Sequence, residues 1–182
     1  MALRCEIEEP LLSAVRATEE LLTKLQIPHA FVGEVALGAW LGRPTAAGAV
    51  DVLALLAPDR SRQVPMMASN RGFLVDEGEV EGARELDLIP MRFDHPAGSP
   101  RVHVLMASNA LYSRMLQRTS GAELGDDMIP VAHPEDLGLM LAMQDARATL
   151  DALIDAAGDR FDRERFDRTL ESIGLARRIL AR

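Results

Sequence analysis

Two apolar runs joined through a glycine, a short helix and a tight loop constrain this chain more than any other feature. Phe31–Leu56 reads FVGEVALGAWLGRPTAAGAVDVLALL. His29 to Gly33 has the character of a buried strand ending at a glycine. Glu34 to Leu41 reads as a short helix, closed by Gly42 and Pro44. After a Gly/Pro/Ala-rich loop, Val50 to Leu56 is an apolar run interrupted only by Asp51. A strand apolar on both faces belongs in the middle of a sheet covered on both sides. Strand, helix and strand in so short a span commit the chain to mixed α/β layering.

The flanking sequence extends this pattern. Pro10 to Gln26 carries Leu11, Leu12, Val15, Leu21, Leu22 and Leu25 at helical spacing, with Pro10 in the first turn and Pro28 beyond the end. Asp59 to Asn70 reads as a helix containing Pro65. Strands are expected at Phe73–Val75, Leu86–Phe93, Val102–Met106 and Met128–Ala132, with the turn DHPAGSP between the second and third. Asn109 to Arg118 reads as a helix with Ser108 as its N-cap. Pro134 to Ala157 reads as one long helix whose first-turn acids, Glu135 and Asp136, suit the helix dipole. After a break at Gly158–Phe161, Asp162 to Leu180 reads as the last helix. Its charges, including Asp159–Arg163 and Glu164–Arg168, lie at i,i+4 spacing on a solvated face.

Composition limits what such a fold can do. Hydrophobic residues make up 48% of the 182 positions, enough for a sizeable core. Aromatics are only 4%, so that core must be aliphatic, with nine Met available to fill gaps. The net charge of −8 argues against broad nucleic-acid binding. Arg177, Arg178 and Arg182 read as an ordinary basic helix end. Cys5 is the only cysteine, so neither an intramolecular disulfide nor a cysteine zinc site is expected. No apolar run is long enough to cross a membrane, and a cytoplasmic location is the expectation. Trp40 reads as a packing residue, and His29, His95 and His133 lack metal-ligand spacing.

Three separated segments together resemble the nucleotidyltransferase superfamily, in particular its AbiEii-like, toxin-type branch. Val32–Gly33–Glu34–Val35–Ala36–Leu37 is similar to the family's strand-G-G-x-A turn. Gly42–Arg43–Pro44 through Asp51–Val52–Leu53 is similar to its G-x-P-R-x-T-x-D-I-D loop and strand. Ile129 to Leu137, IPVAHPEDL, is similar to its IPVASPEDL segment. Arg101–Val102–His103–Val104–Leu105 stands where the family has a strand such as RVDVL. The resemblance covers roughly residues 10 to 155. It implies an α/β (α+β) fold with a short mixed sheet and packed helices over residues 1–133, and a helical region over 134–182 packed on that core. It also implies that Gly33 and Glu34 lie at the nucleotide phosphates. Asp51 and His103 would lie at the catalytic acids, with Asp51 the retained metal ligand.

The departures from the family pattern are physical losses. Nucleotidyl transfer uses Mg²⁺ held by several carboxylates, because hard cations take oxygen ligands. Strand residues i and i+2 face one way, so a D-x-D pair aims both acids at one ion. Here the pair is Ala49–Val50–Asp51. The third acid is His103, a poor Mg²⁺ ligand. The family's second glycine is Glu34, whose carboxylate would repel a triphosphate at a helix N-terminus. The loop threonine is Ala47, the loop arginine is Thr45, and the family's lysine after E-D-L is Met140. Two of the three expected acids are thus absent.

Three readings follow. The first is a degenerate, nucleotidyltransferase-like protein with a binding or regulatory role in a bacterial module, with a nucleotide or protein partner and no established cofactor. The second is an active metal-dependent nucleotidyltransferase acting on RNA, protein or a small molecule. It would use Mg²⁺ and an NTP, with Asp51 and a second acid such as Asp87. The third is a protein-interaction scaffold with a closed pocket.

Overall fold

The computed structural model describes residues 2–45, 48–57 and 60–175. In chain order the elements are β1 (Leu3–Arg4), α1 (Leu11–Lys24), β2 (His29–Val32), α2 (Gly33–Leu41), β3 (Ala49–Ala54), α3 (Gln63–Ser69), β4 (Phe73–Leu74) and α4 (Glu77–Gly82). They continue with β5 (Leu88–Phe93), β6 (Arg101–Met106), α5 (Ala110–Met115), β7 (Thr119–Leu124), β8 (Asp127–Ala132), α6 (Pro134–Met143), α7 (Arg147–Ala157) and α8 (Arg163–Ser172). Single 3₁₀ turns at Arg84–Leu86 and Gly158–Arg160 join their neighbours.

Among the described residues, the strands form one eight-stranded mixed sheet, ordered β1-β7-β8-β2-β3-β6-β5-β4. The three strands expected from Phe31–Gly33, Val50–Leu56 and Val102–Met106 are β2, β3 and β6, side by side at its centre. β3 runs antiparallel to β2 and parallel to β6, with Asp51 opposite His103. The apolar run in β3 is buried on both faces from Val52 to Ala54, as its sequence demands. α1 closes one side with Ala14, Val15, Leu21 and Leu22 fully buried. Each such leucine contributes roughly 1.5–3 kcal/mol relative to exposure. Trp40 is packed, as expected, and its indole N–H donates to the Ala132 carbonyl at 3.0 Å.

Several expectations are corrected. The long helix over Pro134–Ala157 is two helices, α6 and α7, broken at Gln144–Ala146, where Asp145 takes φ +57°. The break lets α7 turn back, and Gly138 of α6 then meets Phe166 and Leu150 closely. A Cβ on Gly138 would lie 3.0 Å from the Phe166 ring. The helix after β6 is capped by Asn109, whose side chain accepts from the Tyr112 N–H, and not by Ser108. Ser108 instead donates to Asp87. The helix expected from Asp59 is the shorter α3, with Pro65 in its first turn, where a missing N–H costs nothing. Glu164 pairs with Arg168 as expected, but Arg163 pairs with Asp167 and not with Asp159. β1, α4 and the hairpin strand β7 are additions. The expectations for Ala47, Arg177, Arg178 and Arg182, and for the last helix beyond Leu175, lie outside the described residues.

Candidate functional site

The end of β2 turns directly into α2, and Gly33 makes that turn at φ +57°. A Cβ there would lie 2.6 Å from Asp51 Oδ2. The glycine therefore serves two purposes: it permits the left-handed backbone and lets a carboxylate lie against the helix N-terminus. Asp51 stands on the neighbouring strand, opposite Val32. On its other side, His103 Nδ1 is 2.8 Å from Asp51 Oδ1. Nδ1–H donates to the carboxylate, which leaves Nε2 with no protein partner among the described residues. The two side chains are about one-third exposed, at 34% for Asp51 and 29% for His103.

These groups form one wall of a cavity of about 380 Å³. Gly33, Glu34, Asp51 and His103, each singled out in the sequence, all line it. Met140, singled out in the sequence reading, lines it too, with Leu137, Leu141 and Gln144 of α6 and its C-cap. Leu37, Leu88 and Leu105 supply the remaining apolar surface. The volume falls in the range of small-molecule sites. The Glu34 carboxylate lies 3.8 Å from the Arg43 guanidinium, and both are more than half exposed. Such a loose surface pair holds neither side chain firmly.

The donor set does not fit a two-metal centre. On β3, Ala49 shares the face of Asp51 and offers no oxygen. The Asp51 Oδ1 lone pair that could face an ion is engaged by His103. Among the described residues, no group of three or more His, Cys, Asp or Glu side chains is placed to hold a metal. Asp87, the alternative second acid, has φ +54° and accepts from Ser108 Oγ at 2.5 Å. It lines a separate cavity with Arg62, Arg84 and Met106, and does not line the one that holds Asp51.

Two further groups escaped the sequence reading. The first is a basic pair. β5 and β6 are antiparallel, and Arg92 stands directly opposite Arg101. Arg101 is in turn opposite Ala49. By strand alternation both arginines share the sheet face of His103 and Asp51, one step further along. The second is a buried ionic cluster around the start of α6. Glu135 is 1% exposed and accepts from Arg118 at 3.0 Å and from the Asp162 N–H at 2.5 Å. His133 also donates to it. Burial opposes the Glu135 charge, but the bonds from His133 and Asp162 outweigh it and hold its carboxyl below the usual carboxylate range. Asp136 is the reverse case: burial pushes its carboxyl up, against the pull of Arg118 3.1 Å away. Glu135 and Asp136 were read as dipole-compensating first-turn acids; register and burial show that they also lock α6 to Arg118 and to the start of α8. The only available signal was the E-D pair following Pro134.

No protein-family model matches the chain, and no curated protein matches it by sequence. Its fold does match solved structures. The antibiotic-resistance factor ANT(2'')-Ia in solution superposes with a TM-score of 0.59 at 10% identity, over 91% of this chain and 94% of that one. The same factor in complex with adenylyl-2''-tobramycin gives 0.52 at 12% identity, over 90% and 98%. An antigenic nucleotidyltransferase-like protein from Paracoccidioides brasiliensis gives 0.52 at 14% identity, over 99% and 93%. The fold is therefore that of nucleotidyltransferase-like proteins.

Proposed function

We propose that this chain is a nucleotidyltransferase-fold protein of the AbiEii-like, toxin-type branch that has lost the two-metal reaction and uses its cleft for metal-independent binding. One observation carries this reading. The lone acid Asp51 is committed to His103, while Ala49 leaves its partner position on the same strand face empty of oxygen. The ligand is nucleotide-sized, and its occupancy serves a regulatory role in a bacterial, cytoplasmic module with a protein partner. The helical region from residue 134 to 182 is best read as packed on the 1–133 core, with α6 supplying one wall of the cleft. The cavity of about 380 Å³ speaks against a scaffold with a closed pocket. The separation of Asp87 from the Asp51 cavity speaks against an active two-acid centre. Thermal-shift titration with each NTP, with and without Mg²⁺ or Mn²⁺, tests the proposal. A ligand at a hundredfold excess over its Kd stabilises by roughly 2.7 kcal/mol, which is readily measured. The metal is expected to add nothing to any nucleotide shift. A large metal-dependent stabilisation that Asp51→Ala abolishes would overturn the reading.

A further inference from the structure

We infer that the cleft selects a nucleoside-sized ligand without phosphate, one that turns the amino group of a nitrogen heterocycle to the Glu34–His103 wall and its ring to the aliphatic wall. The inference rests on the reading of this cleft as a metal-independent binding site, and adds its ligand class.

Asp51 carries the argument, because it is an anion built into the cavity wall. Two features of that wall would otherwise attract a phosphate. One is the N-terminus of α2, whose first N–H groups have no side-chain cap. The other is the N–H of His103. Asp51 lies at both. Its Oδ2 rests against Gly33, the first residue of α2, so close that a Cβ there would stand 2.6 Å from it. Its Oδ1 takes the His103 Nδ1–H at 2.8 Å. A phosphate at either place must displace this carboxylate or lie beside it.

The rest of the wall offers acceptors. With Nδ1–H turned to Asp51, His103 presents Nε2 as a lone pair. The Glu34 carboxylate lines the same cavity and can only accept. Arg43 approaches it only to 3.8 Å and does not line the cavity. α6 also ends there: Leu141 and the C-cap Gln144 are lining residues, and no basic side chain stands in its last turn. The negative end of the α6 dipole therefore adds to the same sign. Among the described residues that line the cavity there is no Lys, Arg, Ser, Thr or Tyr, and the Gln144 amide is the only other side-chain donor. Such a wall leaves a phosphate facing acceptors, whereas an amino group pairs with them.

The remaining surface sets the shape. Leu37, Leu105, Leu137 and Met140 give an aliphatic lining to a cavity of about 380 Å³. That surface suits the faces of a planar ring, and the flexible thioether of Met140 adapts to them.

Calorimetric titration of the whole chain in EDTA at pH 8 tests this. The probes are adenosine, guanosine and cytidine, whose bases carry an amino group, against uridine and purine riboside, whose bases carry none. Adenine, guanine and cytosine show whether the ribose is held. At least one amino nucleoside or base is expected to bind, with uridine and purine riboside weaker by about tenfold or more. The monophosphate of the best nucleoside should bind about tenfold more weakly at low salt, and the gap should narrow as salt rises and screens the repulsion. Glu34→Gln should narrow the same gap, and Met140→Lys, which puts a cation into the wall, should reverse it. Urea unfolding of both variants separates changed binding from lost folding. If uridine or purine riboside binds as well as the amino nucleosides, the inference falls while the binding reading stands. The same holds if a monophosphate or triphosphate binds as tightly in EDTA, or if neither variant changes the gap. If a triphosphate binds only with Mg²⁺, both fall. If no compound binds, this ligand class falls, and the NTP titration decides the binding reading separately.

Discussion

Gly33 and Asp51 are the residues on which the cleft depends most directly. Gly33 combines a left-handed backbone with a near approach that excludes any side chain. Gly42, at φ +60°, has the same backbone requirement but open space where its Cβ would go. The pair separates the two costs. Gly42→Ala should lose roughly 1–2 kcal/mol, the left-handed penalty alone. Gly33→Ala should lose that and a further roughly 1–3 kcal/mol, because the methyl must displace the Asp51 carboxylate and with it the bond to His103. Urea unfolding of the two variants measures the difference; equal losses would mean that Asp51 moves aside freely. The glycine was legible in the sequence because a strand running into a helix has few other ways to turn. The contact that makes it indispensable was not, since it joins residues of different strands.

Between elements, α1 is tied to β2 by His29. Its ring bonds the Ile27 carbonyl through Nδ1 at 2.8 Å and the Glu19 carboxylate through Nε2 at 2.7 Å. Burial works against the charged ring. The bonds to Glu19 and Ile27, together with the Glu19 charge, outweigh burial and raise the pKa above the usual histidine value. Both nitrogens face acceptors, so the doubly protonated form fits. A raised folded pKa gives stability that is fully present below the unfolded value of about 6.5 and is lost as pH rises through the folded value. Unfolding free energy should therefore fall from pH 6 towards pH 9 more steeply in the parent than in His29→Gln. Denaturant curves at those pH values check it; parallel slopes would show the ring to be neutral throughout. His29 was visible in the sequence only as a strand-start histidine without metal spacing. Its partner lies a helix away, and no periodicity links the two.

At the scale of the whole molecule, the buried cluster around Glu135 joins parts distant in the chain: Arg118 before β7, His133 after β8, the first turn of α6, and the Asp162 N–H at the start of α8. Arg118 Nε and Asp136 Oδ2 are buried with no partner of their own, so the cluster has no slack in which to absorb a loss. Glu135→Ala should destabilise by about 3–5 kcal/mol, because it removes the carboxylate shared by Arg118, His133 and the Asp162 N–H and leaves Arg118 with Asp136 alone. Glu135→Gln should recover part of this by accepting from Asp162. Chemical denaturation measures both, and a loss under about 1 kcal/mol for the alanine variant would mean that Asp136 and water suffice to balance Arg118.

By itself, the sequence determined the central strands, the helix between β2 and β3 and the cleft that their junction makes. Apolar runs and a turn glycine act locally, and β2, β3 and β6 are adjacent as their segments suggested. It also determined that Asp51 stands on its strand face with Ala49 and not with a second acid, since both residues stand in the chain whatever the fold. The tertiary structure alone decided the rest. β1 has only two residues and β7, TSGAEL, is largely polar, so backbone pairing and not side-chain pattern makes them strands. The break between α6 and α7 follows from packing, because apolar residues run through both helices. Strand register, which hydrogen bonds fix across the sheet, set Asp51 against His103 and Arg101 against Arg92. A sequence states which charges exist; only the pairing of strands decides which of them meet.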